Sequence, residues 1–432
     1  MIFPVVRNQK ICYNNLICEK TDHERTEFMK YLVLIPDGMA DEPNAALGGH
    51  TPMEVAKKPT MDALSAKSVV GHVLNVPQGM VPESDTANMA ILSFDPKVYS
   101  HGRSPLEAMS IGIEMQPDET AIRCNLVTIS EEEENYDDKH MVDHSADEIT
   151  TEEADGLIKA LQEAFGNEVR KFHTGVSYRH CLIWKNCDET YDFSRPHDII
   201  GRCIRDYLPS VDNGGAEFYD LMRRSYDILN HHPINEARRA RGLKPANSAW
   251  LWSPGKKPQL PDFKQKWGLD GVVISAVDLI KGIGLCANMK SIDVEGATGN
   301  VHTNYQGKAE AAIQAFKDGA DFVYVHVEGP DECGHRAEVE NKVISIEKID
   351  GLILAPIYEY LQNCGEPFRI MVLPDHPTPL AIRTHTSTPV PFFMYDSERV
   401  VDGVVHFTEA EAQETGLYIS QGHTLLDRLI VK

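Results

Sequence analysis

Three continuous apolar segments each run into a short polar sequence that is rich in aspartate and histidine. They are YLVLIPDGMAD at residues 31–41, DFVYVHVEGPDECGH at 321–335 and FRIMVLPDHPTP at 368–379. Unbroken runs of Val, Ile, Leu and Tyr are typical of strands that are covered on both faces, as in a parallel sheet. The pattern therefore predicts three buried strands, each followed by side chains of the kind that bind metal ions.

Helical patterns separate these strands. KAEAAIQAFKDGAD at 308–321 precedes the second strand, and NKVISIEKIDGLILAPIYEYLQNCG at 341–365 leads to the third and ends at Gly365 as a C-cap. A strand, helix, strand order is the signature of an α/β fold, in which ligands bind beyond the carboxyl ends of the strands. We therefore expect a mostly parallel sheet flanked by helices, with the three polar endings at one rim.

The middle of the chain has a different pattern. From about residue 101 to 262 the strands are shorter and the charge is denser, and the α/β pattern then resumes. At 432 residues the chain is also longer than one hydrophobic core usually supports. We expect a discontinuous α/β domain of residues 29–100 and 263–432 that carries a smaller inserted α/β or α+β domain, residues 101–262. Residues 1–28 are interpreted as a disordered N-terminal extension.

Composition excludes several classes of protein. A net charge of −23 argues against a general nucleic-acid partner, and the apolar runs are shorter than the roughly 18 residues that a membrane helix needs. The nine cysteines include no Cys-x-x-Cys pair, which predicts reduced thiols rather than a disulfide framework. We expect a cytoplasmic protein with neither a nucleic acid nor a membrane as partner.

Charge is unevenly distributed within the middle region. Residues 131–155 carry twelve acids and one lysine, a run that usually forms a solvated loop and helix face. Arginine side chains bind carboxylate and phosphate through two parallel hydrogen bonds, although ordinary surface arginines give the same sequence pattern. The candidate ligands for an anion in this region are Arg179, His180, His197, Asp198 and the run RRARGLK at 238–244.

Six polar side chains at the predicted rim form an oxygen and nitrogen ligand set. They are Asp37, Asp331, His335, Asp375, His376 and His385. Asp331 and His335 are four residues apart and share one face if a helix begins there. Carboxylate and imidazole ligands suit Mn²⁺, Zn²⁺, Co²⁺ or Mg²⁺. Each residue alone is more often structural, but six at one rim predict a site for two metal ions.

Ser84 begins the helical pattern SDTANMAIL. Serine is a favoured N-cap, and the positive end of a helix dipole also stabilises a phosphoryl group beside such a serine. A neighbouring metal ion would lower the pKa of its hydroxyl. The rival nucleophile, Cys333, lies within the metal-binding motif without a separate histidine partner. We therefore predict that Ser84 is the nucleophile.

With these residues in chain order, the sequence resembles the alkaline phosphatase superfamily and, within it, the cofactor-independent phosphoglycerate mutases of the archaeal type. The resemblance covers nearly everything from Met29 onward. Its motifs are specific for the superfamily and less specific for the substrate. They are IPDGMAD, GHTPMEVAKKPTMDAL, SDTANMAILSFDP, GRSPLEAMSIGI, RCNLVTI, PHDIIG, SAVDLIKGIG, GKAEAAI, HVEGPDECGH, DHPTP and HTSTPVPF.

The resemblance implies an alkaline-phosphatase-like fold and two divalent ions, with Mn²⁺ expected first. One ion would be held by Asp331, His335 and His385, and the other by Asp37, Ser84, Asp375 and His376. Ser84 would take the phosphoryl group from 3-phosphoglycerate and return it to the 2-hydroxyl, which gives 2-phosphoglycerate. The inserted domain would close over this small phosphorylated substrate, and the residues implied to bind it are Arg179, His180, His197, Asp198 and Lys281.

Two other activities stay open. MVDHSADEIT at 141–150 carries acids where archaeal members carry a more basic stretch, and the same broad group contains bacterial members proposed to be homoserine kinases. Such a kinase would need ATP and homoserine. A metal-dependent phosphatase would release free phosphate, and the large insert argues mildly against it. The sequence leaves the oligomeric state and the metal used in the cell open.

Overall fold

The computed structural model describes residues 29–100, 102–188 and 193–431. The predicted disordered extension, residues 1–28, lies outside the described residues. The strands in the described residues are β1 Lys30–Pro36, β2 Val69–Val73, β3 Glu119–Ile129, β4 Met141–Asp143, β5 Arg170–Val176, β6 Arg179–Lys185, β7 Ser248–Lys256, β8 Gly271–Ile274, β9 Lys290–Ile292, β10 Phe322–Val327, β11 Phe368–Val372, β12 Val390–Asp396 and β13 Tyr418–Ile419.

The α-helices lie between these strands and after them. They are α1 Pro52–Val55, α2 Pro59–Ser65, α3 Ser84–Ile91, α4 Pro96–Tyr99, α5 Ser104–Ser110, α6 Thr151–Phe165, α7 Ala216–Leu229, α8 Pro233–Ala240, α9 Phe263–Trp267, α10 Asp278–Cys286, α11 Tyr305–Lys317, α12 Gly329–Arg336, α13 Val339–Ile349, α14 Ala355–Asn363, α15 Glu409–Glu414 and α16 Leu425–Ile430. None of the helices in the described part of the chain is both long and apolar enough to span a membrane.

Eight strands form the large sheet, in the order β13-β2-β12-β11-β1-β10-β8-β9. The three strands predicted from the apolar segments are β1, β10 and β11, and they are parallel neighbours with β1 in the middle. Strands β8 and β9 continue the parallel part, whereas β12 is antiparallel to β11 and β2. The predicted mostly parallel α/β sheet is confirmed.

Helices cover both faces of the large sheet. Side chains alternate along β1, so that Leu32 and Leu34 enter one hydrophobic core while Tyr31, Val33 and Ile35 enter the other. The first core includes side chains of α11, α13 and α14, and the second includes side chains of α3, α10 and α16. This double covering explains why the strand sequences are continuously apolar rather than alternating.

Five further strands form the small sheet, which is antiparallel throughout. Its order is β4-β3-β6-β5, with β7 also paired to β3. Helices α6 and α7 pack on it and complete a separate hydrophobic core. All of these strands lie within residues 101–262. Of the two forms predicted for the insert, α/β and α+β, antiparallel pairing is typical of the α+β form.

Helix α5 contacts both parts of the molecule. Leu106 packs in the core shared with the large sheet, whereas Ala108 packs with Ala121 and Cys181 of the small sheet. The helix therefore joins the two sheets, although the sequence prediction assigned all of it to the insert.

The long helical segment predicted at 341–365 is present but is not uniform. A π-helical turn, Asp350–Leu354, separates α13 from α14. The buried Asp350 accepts hydrogen bonds from the backbone N–H groups of Thr60 and Met61, which ties this turn to the start of α2. The C-cap is Cys364 rather than the predicted Gly365, which follows it with φ +81°, the left-handed conformation that glycine favours just after a helix.

Candidate metal centre

The loops that follow β1, β10 and β11 meet at one rim of the large sheet, and Gly38 is where they approach most closely. Its φ is +61°, and a Cβ atom there would lie 2.5 Å from Thr378 Oγ1 and 2.7 Å from Asp331 Cα. Its N–H donates to Asp375 Oδ1 at 3.1 Å. Only glycine allows the first loop to reach the other two, and this close approach draws the polar endings together.

Asp331, His335 and His385 form the first group of possible ligands. Helix α12 places Asp331 in its first turn and His335 one turn later, as the four-residue spacing predicts. Asp331 Oδ2 lies 3.3 Å from His335 Nε2, and Asp331 Oδ1 lies 3.3 Å from His385 Nε2. The two imidazole Nε2 atoms are 2.8 Å apart. These three side chains converge on one point.

Asp37, Asp375, His376 and Ser84 form the second group. His376 Nε2 lies 3.6 Å from Asp37 Oδ1, 3.5 Å from Asp375 Oδ2 and 3.1 Å from Ser84 Oγ. The rings of His376 and His385 stack with centroids 3.9 Å apart, so the two groups adjoin. The structure thus brings all seven predicted side chains together, and below they are called the metal centre.

Ser84 is the first residue of α3 rather than its N-cap. Glu83 holds the cap position with an extended backbone, φ −123° and ψ 152°, and makes no side-chain cap. One turn later, Asn88 Nδ2 donates to the Ser84 carbonyl and to Asp375 Oδ2, both at 2.8 Å. Asn88 in turn accepts a hydrogen bond from Tyr324 Oη. Asn88 was not singled out from the sequence, and it joins the start of α3 to the metal centre.

The closely spaced, buried carboxylates of the metal centre would be stabilised by an added positive charge. Burial, together with the nearby carboxylates of Asp375 and Asp331, raises the pKa of Asp37 well above its usual range. Asp37 Oδ1 is buried and has no hydrogen-bond partner among the described residues. A divalent cation would supply both the charge and the partner, and the carboxylate and imidazole donors suit Mn²⁺, Zn²⁺ or Co²⁺. The residues present therefore fit metal ions.

The hydrogen bonds of two histidines fix which ring nitrogen faces the centre. His335 Nδ1 lies 3.0 Å from the Arg383 carbonyl oxygen, and His385 Nδ1 lies 2.7 Å from that of Pro82. A carbonyl oxygen only accepts, so Nδ1 carries a hydrogen in both rings and Nε2 is the nitrogen that faces Asp331. This is the arrangement in which imidazoles bind metal ions.

Comparison with known proteins identifies the family. A family model described as 2,3-bisphosphoglycerate-independent phosphoglycerate mutase matches residues 65–235. A protein of that name from Methanothrix thermoacetophila is 44% identical over 93% of this chain and 100% of its own length. The chain belongs to this family. A Geobacter sulfurreducens protein, named a probable 2,3-bisphosphoglycerate-independent phosphoglycerate mutase, is 42% identical over the same share of each chain.

Solved structures extend the family likeness to the fold. The cofactor-independent phosphoglycerate mutase from Thermoplasma acidophilum is 26% identical, with a TM-score of 0.66 over 93% of this chain and 98% of that one. A Pyrococcus horikoshii protein, also 26% identical, has a TM-score of 0.77 over 93% of this chain and 96% of that one. Because these matches cover nearly all of the chain, the structural similarity includes both the large sheet and the small sheet.

Two of the five residues predicted to bind substrate in this phosphoglycerate mutase family member, Arg179 and His180, lie on β6 of the small sheet. His180 is buried, and its Nδ1 accepts a hydrogen bond from Gly175 N at 3.1 Å. Burial lowers its pKa to about 4, so the ring is uncharged near neutral pH. Arg179 is exposed, and its guanidinium lies 5.2 Å from the centre of the Tyr178 ring.

The other three candidates are partnered within their own neighbourhoods. His197 packs edge-on against Trp252, and its Nε2 lies 3.6 Å from Asp198 Oδ1. Lys281 forms an ion pair of 2.7 Å with Asp293. No hydrogen bond, ion pair or ring contact joins these five side chains to the metal centre in the described part of the chain, and their role in binding substrate stays a prediction.

The basic run at 238–244 pairs with the acidic run at 131–155. Arg238 and Arg241 both bind Glu153, and Lys244 lies 2.7 Å from Asp143. The charges of these basic residues are therefore neutralised by ion pairs within the insert. They are poorer candidates for binding a substrate anion than the unpaired basic pattern of the sequence indicated.

Sequence analysis missed one histidine beside the metal centre. His326 lies on β10 with its side chain fully buried, and its Nε2 is 3.4 Å from Asp37 Oδ2 and 4.0 Å from Asp375 Oδ2. The signal was present in the segment HVEGPDECGH, but a histidine within an apolar strand is more often a structural core residue.

Proposed function

We propose that the protein is a metal-dependent phosphoglycerate mutase of the cytoplasm that interconverts 3-phosphoglycerate and 2-phosphoglycerate through a phosphoserine at Ser84. The observation that carries this proposal is the position of Ser84 Oγ, 3.1 Å from His376 Nε2, at the start of a helix beside two converging groups of carboxylates and imidazoles. Family membership supports the choice of substrate.

Two divalent ions are expected at the metal centre. Asp331, His335 and His385 would hold one, and Asp37, Ser84, Asp375 and His376 would hold the other, with Mn²⁺ as the first choice and Zn²⁺, Co²⁺ or Mg²⁺ as alternatives. When bound, the ions lower the pKa of the Ser84 hydroxyl and offset the negative charge of the phosphoryl oxygens. The chain's own residues position the reacting groups, as the next steps describe.

Ser84 is placed to accept and return the phosphoryl group. The Ser84 hydroxyl gives up its proton as its oxygen bonds to phosphorus, while the bond from phosphorus to the 3-oxygen of the substrate breaks and that oxygen takes up a proton. The 2-hydroxyl then loses its proton and attacks the phosphoserine, and Ser84 takes up a proton as the bond from phosphorus to its oxygen breaks. The start of α3 favours negative charge on the transferred group, and Asn88 holds Ser84 and Asp375 in register.

The insert, residues 101–262, is proposed to close over the bound glycerate. Water that reached the phosphoserine would hydrolyse it and convert the mutase into a phosphatase, so the site has to exclude water during reorientation of the glycerate. Arg179, His180, His197, Asp198 and Lys281 remain the candidates to bind the carboxylate or phosphate from the insert and from α10.

A substrate comparison tests this proposal. Purified protein loaded with Mn²⁺ is given 3-phosphoglycerate without bisphosphoglycerate or ATP, and formation of 2-phosphoglycerate is followed by coupled assay. We expect turnover under these conditions. Release of free phosphate would indicate a phosphatase, and turnover only with homoserine and ATP would indicate the kinase alternative. Metal-loaded protein that is inert towards 3-phosphoglycerate would overturn the mutase proposal.

A further inference from the structure

We propose that His326 is a further ligand of the metal ion that Asp37 and Asp375 would hold, and that a buried Lys308–Glu328 pair fixes its ring for that role. The inference rests on the two-ion centre of the proposed function and adds a residue that was not among the ligands predicted from the sequence. It starts from the surroundings of the His326 ring, in which every atom is buried.

The Nε2 atom of His326 has no hydrogen-bond partner among the described residues, although it is buried. Two carboxylate oxygens lie near it, Asp37 Oδ2 at 3.4 Å and Asp375 Oδ2 at 4.0 Å, but neither forms a hydrogen bond with it. An imidazole nitrogen left without a partner in a fully buried position is costly. The atom is therefore aimed at a partner that the chain alone does not supply.

The distances match those between ligands of one ion. Bonds of about 2.0–2.2 Å to nitrogen and oxygen place neighbouring ligand atoms roughly 3–3.6 Å apart and opposite ones roughly 4 Å apart. His326 Nε2 meets these values with both carboxylates, as His376 Nε2 does at 3.6 and 3.5 Å. Asp37, Asp375 and His326 converge in the same way as the groups already assigned to the metal centre.

The other ring nitrogen is held by oxygens of Glu328 and Ser275. His326 Nδ1 lies 3.3 Å from Glu328 Oε1 and 3.4 Å from Ser275 Oγ. Ser275 donates its own hydrogen to Glu328 at 3.0 Å, so both oxygens can accept from Nδ1. A hydrogen on Nδ1 leaves Nε2 as the nitrogen that can offer its lone pair to a metal ion, as in His335 and His385.

Glu328 is kept ionised by a buried partner. Lys308 Nζ donates to Glu328 Oε2 at 2.7 Å and to the His326 carbonyl at 2.8 Å, and its side chain is fully buried. Ala276 N also donates to Glu328 Oε1 at 2.9 Å. A carboxylate with these donors has no hydrogen of its own, so it can only accept from the imidazole. The arrangement carboxylate, imidazole, metal is the one that orients histidine ligands in proteins.

The test measures metal binding and does not depend on mutase activity. Mn²⁺ is titrated into metal-free wild type, His326→Asn and His72→Asn by calorimetry. Asparagine keeps an amide near the Nδ1 position but has no atom at the Nε2 position. His72 is the matched control, since it lies on β2 of the same sheet and stacks on Tyr418 away from the centre. Thermal unfolding of the metal-free forms checks the fold of each variant.

We expect wild type and His72→Asn to bind two ions, and His326→Asn to bind one ion normally and the other at least about 10-fold more weakly. The visible absorption of bound Co²⁺ should also change in His326→Asn, because one nitrogen donor is lost. Wild-type affinity for both ions in His326→Asn, with an unchanged Co²⁺ spectrum, would overturn the inference. If wild type itself binds no ion, the two-ion centre of the proposed function fails instead.

A second pair of variants tests the tautomer argument. Glu328→Gln alone leaves Lys308 buried without its partner, so it is compared with the double variant Lys308→Met/Glu328→Gln, in which both charges are absent. In each, the amide can donate to Nδ1 and turn the Nε2 lone pair into an N–H group. We expect the same ion to be weakened in both variants as in His326→Asn. Unchanged Mn²⁺ affinity in the folded double variant would show that the pair does not set the ring for metal binding.

Discussion

At the scale of single residues, the hydroxyl of Ser84 is the group on which the proposed chemistry depends. Ser84→Ala should lower mutase turnover by at least about 10³-fold, because alanine has no oxygen beside His376 to take the phosphoryl group. Ser110→Ala is the matched control, since its hydroxyl only bonds the Glu107 carbonyl of its own helix. Coupled turnover assays and the unfolding temperature of each variant would be compared. Turnover of Ser84→Ala near the control's would remove Ser84 as the nucleophile.

The buried His180 should make the free energy of unfolding depend on pH. Burial lowers its pKa to about 4 in the folded protein, against 6.5 when it is exposed. As the pH falls, His180 is therefore protonated in the unfolded chain before it is protonated in the folded protein. The stability that the neutral ring contributes is complete above pH 6.5 and is lost as the pH falls towards 4. The loss amounts to about 3 kcal/mol.

The measurement is urea unfolding at several pH values, followed by tryptophan fluorescence. In His180→Gln, which keeps an acceptor for the Gly175 N–H group, the decrease of the free energy of unfolding from pH 6.5 to 4 should be smaller by about 3 kcal/mol. His231→Gln, at a largely exposed position, should keep the wild-type profile. Identical pH profiles for wild type and His180→Gln would contradict the prediction.

What the sequence could not predict at this scale were polar side chains buried inside regular elements. His326 sits in a strand that reads as apolar, and Lys308 and Lys342 sit in amphipathic helices where lysine normally faces solvent. Burial of these side chains depends on partners hundreds of residues away in some cases, such as Asp41 for Lys342. By contrast, Asp37, Asp331 and Asp375 follow the ends of β1, β10 and β11, and their convergence follows from the geometry of a parallel sheet.

At the scale of elements, the loop after β11 is fixed by a buried ion pair from α13. Lys342 Nζ donates to Asp41 Oδ2 at 2.7 Å and to the Thr378 carbonyl at 2.8 Å, and both charged side chains are almost wholly buried. Thr378 in turn donates to Asp331 and lies beside His376. The pair thus positions a loop that contacts both groups of the metal centre.

Breaking that pair should be costly. Lys342→Met leaves the Asp41 carboxylate buried without its cation, and the free energy of unfolding should fall by about 3–5 kcal/mol. Lys317→Met, at an exposed position on α11, should change it by less than about 0.5 kcal/mol. Denaturant titration of the metal-free proteins measures both. The double variant Lys342→Met/Asp41→Leu should recover part of the loss, and equal stability of Lys342→Met and Lys317→Met would show that the pair does not stabilise the fold.

The elements differ in how much of them the sequence could predict. The strands β1, β10 and β11 and the helices between them follow from long apolar runs and helical periodicity, and their parallel pairing follows from the α/β order. The antiparallel pairing of the small sheet does not, because β3 pairs with β6 and β7, which lie far from it in the chain beyond charged segments. The sequence also did not predict that α5 joins the two sheets. This short helix packs Leu106 in a core of the large sheet and Ala108 against the small sheet.

At the scale of the whole molecule, the two sheets have separate hydrophobic cores, and the metal centre belongs to only one of them. Chains of this length commonly unfold in more than one cooperative step. Three of the four tryptophans, Trp184, Trp250 and Trp252, lie on strands of the small sheet, so fluorescence reports mainly on that part. Metal ions that bind only the folded large sheet should stabilise that part selectively.

Calorimetric heating of metal-free protein should therefore show two transitions, and saturating Mn²⁺ should shift only one of them. Mn²⁺ at about 100 times its dissociation constant stabilises the large sheet by about 2.7 kcal/mol per ion, or roughly 5–10 °C for a part of 150–250 residues. Because the small sheet holds none of the metal-centre residues, the fluorescence transition should stay in place, and Asp375→Asn should reduce the calorimetric shift. Movement of both transitions by the same amount would mean that α5 couples the two sheets into one cooperative unit.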